Sequence, residues 1–142
     1  KTDLEAIITA IKDGTVDAIA TDHAPHAIHE KELEFGMAAN GITGLETSFG
    51  LAMTYLVHTG HIGMMRLVEL MSTQPREILR LPAISCLEGA KANLTIVAPH
   101  QEWTFSASAS RSKSKNTPFD GFALKGKPMF AINRGLMWKC DL

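Results

Sequence analysis

The chain has 142 residues, 45% of them hydrophobic and 20% charged, a composition that excludes overall disorder and leaves enough apolar material for a buried core. Its formal charge is −1 with both signs interspersed, so no net field recruits nucleic acid or an anionic membrane. No apolar run reaches the roughly 18–20 residues of a membrane span, and Cys86 and Cys140, far apart and without metal-type spacing, read as reduced thiols of a cytoplasmic protein.

Thr2 and Glu5, three residues apart, form a capping-box pattern opening a helix with Leu4, Ile7, Ile8 and Ile11 on one face, closed by Gly14. Residues 16–21 are mostly apolar, β-branched or small and read as a short buried strand. Pro25 has no N–H for a ladder and holds Ala24 extended, so pairing should end near Asp22. In parallel α/β folds the carboxyl ends of strands and the loops that follow assemble active sites. Here that end carries Asp22, His23 and His26. Residues 27–43 form a long loop, charged in its first half (Glu30, Lys31, Glu32, Glu34) and glycine-bearing in its second; loops beyond about 12–15 residues are often functional.

Thr43 and Glu46 make a second capping-box pattern, for a helix that turns Leu45, Phe49, Ala52, Met53, Leu56 and Val57 inward and ends at Gly60. Ile62, Met65, Leu67, Val68, Leu70 and Met71 trace a short helix, and Pro75, at a first-turn position, starts another through Leu81. The methionines read as core filler. From Pro82 the texture changes: residues 89–99 are a turn and an alternating strand, and β-type segments follow at 103–105, 129–133 and 136–139. Gly121 and Gly126 punctuate them, and Asn133-Arg134-Gly135 is a hairpin turn. The expected division is therefore 1–82 and 83–142. The serine-rich run 106–115, with Arg111, Lys113 and Lys115, reads as an edge strand or solvated loop in preference to a nucleic-acid strip, having no interleaved aromatic. His29, His58, His61 and His100 show no ligand spacing and read as surface residues.

The run Ala20-Thr21-Asp22-His23-Ala24-Pro25-His26, then Glu30-Lys31-Glu32, then Asn40-Gly41-Ile42-Thr43-Gly44-Leu45-Glu46-Thr47, resembles the last barrel strand, active-site loop and following helix of a dihydroorotase. Ser112-Lys113-Ser114-Lys115-Asn116-Thr117-Pro118-Phe119, with Gly121 and Leu124-Lys125-Gly126, resembles the C-terminal signature of the same family. The resemblance spans nearly the whole chain. It implies an α/β fold, the C-terminal part of a TIM (β/α)8 amidohydrolase barrel over 1–82 and part of a small β-sandwich over 83–142. Such a barrel alone needs about 250 residues, and the chain begins with Lys1, so it is expected to be the C-terminal third of a longer enzyme, inactive alone.

The implied activity is reversible hydrolysis of the cyclic amide of dihydroorotate to N-carbamoyl-L-aspartate in pyrimidine biosynthesis, with zinc, one ion or two, as cofactor. Asp22 matches the family's metal-contacting proton shuttle; read by itself, it equally suits an Asx turn before Ala-Pro. His26 matches the residue that hydrogen-bonds the substrate carboxylate, its alternative being a solvated loop histidine. Asn40-Gly41 stands where backbone grips the substrate ring, glycine being needed for close approach; the alternative is an ordinary turn. His23, adjacent to Asp22 on extended chain, points the other way and is expected to be structural.

The family's first-strand His-x-His pair, bridging acid and middle-strand histidines are not in this chain, and a hydrolytic zinc site needs three or four ligands. The implied partners are the small-molecule substrate, the N-terminal portion of the same enzyme, and a second copy or a transcarbamoylase. Two rival readings are a hydantoinase or allantoinase, and a silent homologue acting as scaffold. Without barrel neighbours, Val16, Ile19 and the inward helix faces are expected to be partly uncovered.

Overall fold

A computed structural model describes residues 1–141. The first helix, α1 (Thr2–Asp13), has Asp3 and Glu5 in its first turn and Lys12 in its last, charges that suit the helix dipole, and ends at Gly14 with φ 90°. The expected Thr2–Glu5 capping box does not form: Thr2 already lies inside the helix, and no side chain caps the preceding Lys1.

Residues 15–22 run without regular ladder pairing, so the expected strand over 16–21 is realised only as a tethered segment. A strand requires a neighbour, and what holds this one is helical. The Ile19 amide donates to the Leu70 carbonyl at 2.9 Å, and Arg66 reaches the Val16 carbonyl at 2.8 Å and that of Ile11 at 3.3 Å. The one β-bridge nearby joins His23 to Ile42 in parallel. Within the loop that follows lies a single helical turn, α2 (Ile28–Lys31).

Next comes α3 (Ser48–Ala52), running directly into a π-helical turn (Met53–Val57). The expected Thr43–Glu46 capping box is absent, because the Glu46 carboxylate is engaged by residues 110–112 and the helix begins only at Ser48. The two helices expected between Ile62 and Leu81 are one continuous run: α4 (Met64–Val68), a π turn (Glu69–Thr73) and α5 (Gln74–Ile78). The wider π turn lets the run pass through Pro75, which has no N–H to donate. It stops at Ile78 rather than Leu81, where Arg80 adopts φ 52° and the Leu81 amide turns back to the Arg76 carbonyl at 2.8 Å.

Ile11, Ala52, Met53, Ile62, Leu67 and Leu70 form one core cluster, with Val16 and Ile19 half-buried against it. Leu4 and Ile7, expected on the inward face of α1, are exposed. Beyond it, β1 (Asn93–Thr104), β2 (Ala123–Asn133) and β3 (Leu136–Lys139) form an antiparallel sheet in that order. The turn between β2 and β3 has φ 51° at Arg134 and 76° at Gly135, a two-residue hairpin matching strand twist. Gly126 does not punctuate strands as expected; it lies inside β2 at φ 94°, where a Cβ would stand 2.7 Å from Met53. A second cluster, Phe105, Ala107 and Leu124, joins sheet and loop, and Gly50 of α3 fits against Trp103 and Leu124.

Candidate active site

Asp22 closes the extended segment with φ 42°, left-handed backbone that costs a non-glycine residue energy and concentrates at functional sites. Its side chain is exposed at the mouth of two adjacent loops, 22–26 and 39–44. An Asx turn at Asp22 would use the Ala24 amide, but that amide donates to the Ile42 carbonyl at 2.9 Å. Asp22 therefore caps no such turn.

The two loops are joined at several points. His23 turns its Nδ1 toward the second loop and accepts the amides of Gly44 (3.1 Å) and Leu45 (3.4 Å), a structural role that occupies this nitrogen. Gly44 is buried, and a Cβ there would meet the Thr21 carbonyl oxygen at 2.9 Å. Gly41 has φ 103°, and a Cβ would stand 2.6 Å from the Ala24 Cβ and 3.9 Å from His26 Nε2. The glycine at 41 is thus explained by its own backbone and by Ala24; approach of a ligand is not needed to account for it. The same distances place His26 beside Gly41.

His26 is half-buried, its Nδ1 3.7 Å from Glu30 Oε2. Glu30 also accepts the Ala27 amide at 2.8 Å. That amide holds the Glu30 carboxyl below the usual range against the opposing effect of desolvation, with His26 and His29 adding to the lowering. Lys31, at the end of α2, donates Nζ to the Ala39 carbonyl (2.6 Å) and the Gly41 carbonyl (3.1 Å), drawing the far end of the loop back onto its start.

Two further residues hold this region in ways that sequence reasoning did not assign. Asn116 Nδ2 donates to the Ala24 (2.9 Å) and Gly41 (3.2 Å) carbonyls, and its Oδ1 accepts the His26 amide at 3.3 Å. Glu46 accepts the Ser110 hydroxyl and the amides of Arg111 (3.0 Å) and Ser112 (3.1 Å). Burial pushes the Glu46 carboxyl up, but the Ser110 hydroxyl, these two amides and the Lys115 charge outweigh it and hold the group below the usual carboxylate range. The serine-rich run is thus neither an edge strand nor merely solvated; it is a loop latched to Glu46, with Ala107 buried and its amide on Asp120. Asn116 and Glu46 both stand in the motifs read from the sequence, Glu46 also as a capping-box candidate, but nothing in the spacing linked them to these partners. His58 and His100 are exposed, their rings 5.6 Å apart, with His58 Nε2 donating to the Pro99 carbonyl at 2.8 Å.

No three His, Cys, Asp or Glu side chains converge as a metal site among the described residues. With His23 Nδ1 engaged, Asp22 offers a metal a single carboxylate, and the residues of this chain do not fit a zinc centre by themselves.

No family model matches the sequence. The fold is that of the C-terminal part of amidohydrolases: an L-hydantoinase (dihydropyrimidinase) from Arthrobacter aurescens superposes with TM-score 0.84 at 30% identity, over 92% of this chain and 30% of that one. A D-hydantoinase (dihydropyrimidinase) from a Thermus species gives TM-score 0.84 at 27% identity, over 96% and 31%. Curated sequences are nearer. The dihydroorotase of Chlorobaculum tepidum is 54% identical over 125 residues, 88% of this chain and 28% of that protein, and that of Acetivibrio thermocellus 45% identical over 133 residues, 94% and 31%. The chain is a homologue of the C-terminal part of the dihydroorotases, and it spans less than a third of the length of these relatives.

Proposed function

We propose that the protein to which this chain belongs is a dihydroorotase, opening the cyclic amide of dihydroorotate to N-carbamoyl-L-aspartate and closing it in reverse. The observation that supports the reading is that the loop carrying Asp22 and His26 is clipped to the loop carrying Asn40-Gly41, in a sequence 45–54% identical to curated dihydroorotases. Water adds to the ring carbonyl and the carbon–nitrogen bond breaks. Asp22, exposed and without an Asx turn, accepts the proton of the attacking water and returns it to the departing nitrogen, a base that becomes an acid. His26 donates to the substrate carboxylate, and the backbone at Asn40 and Gly41 meets the ring amide edge.

A zinc ion, if the complete enzyme binds one, would supply a Lewis acid for the carbonyl and a more acidic water. Asp22 would be one ligand, the others coming from outside this chain. In the same reading residues 16–22 are the last strand of a (β/α)8 barrel, 1–82 its closing segment and 83–142 part of a β-sandwich. The proposed partners are the small-molecule substrate, the remainder of the enzyme, and a second copy or a transcarbamoylase; the proposed compartment is the cytoplasm. Likeness to solved hydantoinases favours one competing reading, a cyclic amidohydrolase of the hydantoinase type. The test is turnover by the gene-encoded polypeptide containing this chain, zinc supplied, on dihydroorotate and on hydantoin. Opening of dihydroorotate, lost in Asp22→Asn, supports the reading. Preference for hydantoin moves the assignment to a hydantoinase, and no turnover of either leaves the scaffold reading.

A further inference from the structure

Asn116 lies 90 residues from His26 in sequence, yet its entire side-chain amide is spent at the candidate site. A carboxamide has two N–H donors. One goes to the Ala24 carbonyl and the other to the Gly41 carbonyl, while Oδ1 accepts the His26 amide. Its own carbonyl accepts the Thr43 amide at 3.0 Å, so one residue touches both loops on either side of the substrate-facing edge. Its mount is firm. Glu46 latches Ser110, Arg111 and Ser112, Lys115 Nζ donates to the Ser110 carbonyl at 2.7 Å, and Phe119 packs on the Phe105, Ala107 and Leu124 cluster.

We propose that Asn116 is a positioning residue: it sets the distance between His26 and Gly41 and so the spacing of the groups that receive substrate. What is received rests on the dihydroorotase reading; the spacing does not. Aspartate at 116 is nearly isosteric and keeps the acceptor for the His26 amide, but sets an oxygen in place of the donor facing two carbonyls. A space-filling role would survive that change, and a positioning role would not.

The experiment compares Asn116→Asp and Asn116→Ala with the unaltered gene-encoded polypeptide, by steady-state kinetics on dihydroorotate and by hydrogen exchange of peptides covering 22–31 and 39–44. We expect KM to rise about tenfold in both variants with kcat within about threefold, as befits two lost donors acting on binding. Exchange should quicken in both peptides while 48–57 and 64–78 stay protected. Unchanged KM and unchanged exchange overturn the proposal, as does a parallel loss of kcat and of protection throughout the chain. Should the unaltered protein not open dihydroorotate, the functional reading fails, and the exchange comparison still decides: quickening confined to the two peptides upholds the spacing role, and its absence overturns it. The aspartate variant keeps the comparison if the alanine variant does not fold.

Discussion

Where the sheet crosses α3 and its π turn, backbones approach through glycine: Gly126 of β2 meets Met53, Gly50 meets Trp103 of β1 and Leu124 of β2, and the side chains clustered there are apolar. Two hydrogen bonds reinforce this seam, Trp103 Nε1 to the Gly126 carbonyl at 3.0 Å and the Lys125 amide to Thr54 Oγ1 at 2.8 Å. The candidate site shares the glycine contacts, at Gly41 and Gly44, but adds directed hydrogen bonds. Its loops are half-exposed and held by single side chains, Asn116, Lys31 and His23, each spanning main-chain groups. A seam made of volume fails on an added atom; the loops share that limit at Gly41 and Gly44 and fail in addition on changes of donor. The chain thus keeps its apolar contact where no chemistry is proposed and places the proposed chemistry on loops set by hydrogen-bond donors.

Substitutions at four positions probe that contrast. The largest effect is expected at Asp22, where Asn removes the proton carrier and should cut turnover of dihydroorotate by about a thousandfold. Because Asn and Gly suit φ 42° better than Asp, neither Asp22→Asn nor Asp22→Gly should lower the melting temperature; a loss of activity with unchanged or raised Tm separates chemistry from scaffold. Next is the seam. Gly126→Ala adds a Cβ at φ 94° against Met53 and should cost about 2–4 kcal/mol in denaturant unfolding, from backbone strain and overpacking together.

Glu46→Gln comes third, at about 1 kcal/mol near neutral pH given its partial exposure, read by thermal melting. Its pH dependence has a definite sign. The folded carboxyl titrates below its unfolded value, so its stabilisation is present above the ordinary carboxylate pKa of about 4.3 and disappears as pH falls through the lower folded value. The gap between wild type and Glu46→Gln should close in acid. A gap that widened there would contradict the latch. Smallest is Lys139→Ala, which removes an exposed ion pair to Asp141 at 3.1 Å outside both regions and should change stability by less than about 0.5 kcal/mol.

The strand expected over 16–21 shows why local pattern fell short. Apolar, β-branched residues predict extended backbone, and the segment runs alongside helices that take its hydrogen bonds; a ladder needs a partner strand. Both capping boxes were legible as spacings and neither formed, Thr2 because it is already helical and Glu46 because the Ser110–Ser112 latch claims its oxygens. The β-hairpin at Arg134-Gly135 was read correctly because a two-residue turn is decided by local dihedral preference. Asp22, His26 and Asn40-Gly41 were grouped by the motif, but Asn116 could not be joined to them by spacing, since its partners lie up to 92 residues away.

What the sequence determined by itself is what depends on neighbours within a few residues: the helical and β-type stretches, the glycine turns, the motif that carries Asp22 and His26, and the likeness to dihydroorotases. Tertiary structure alone decided that Gly41 answers to Ala24, that Glu46 serves a distant loop instead of its own helix, and that Asn116 clasps the site. The physical reason is range. Propensities act over one turn, but a side-chain hydrogen bond goes to whichever donor or acceptor the fold brings within about 3 Å.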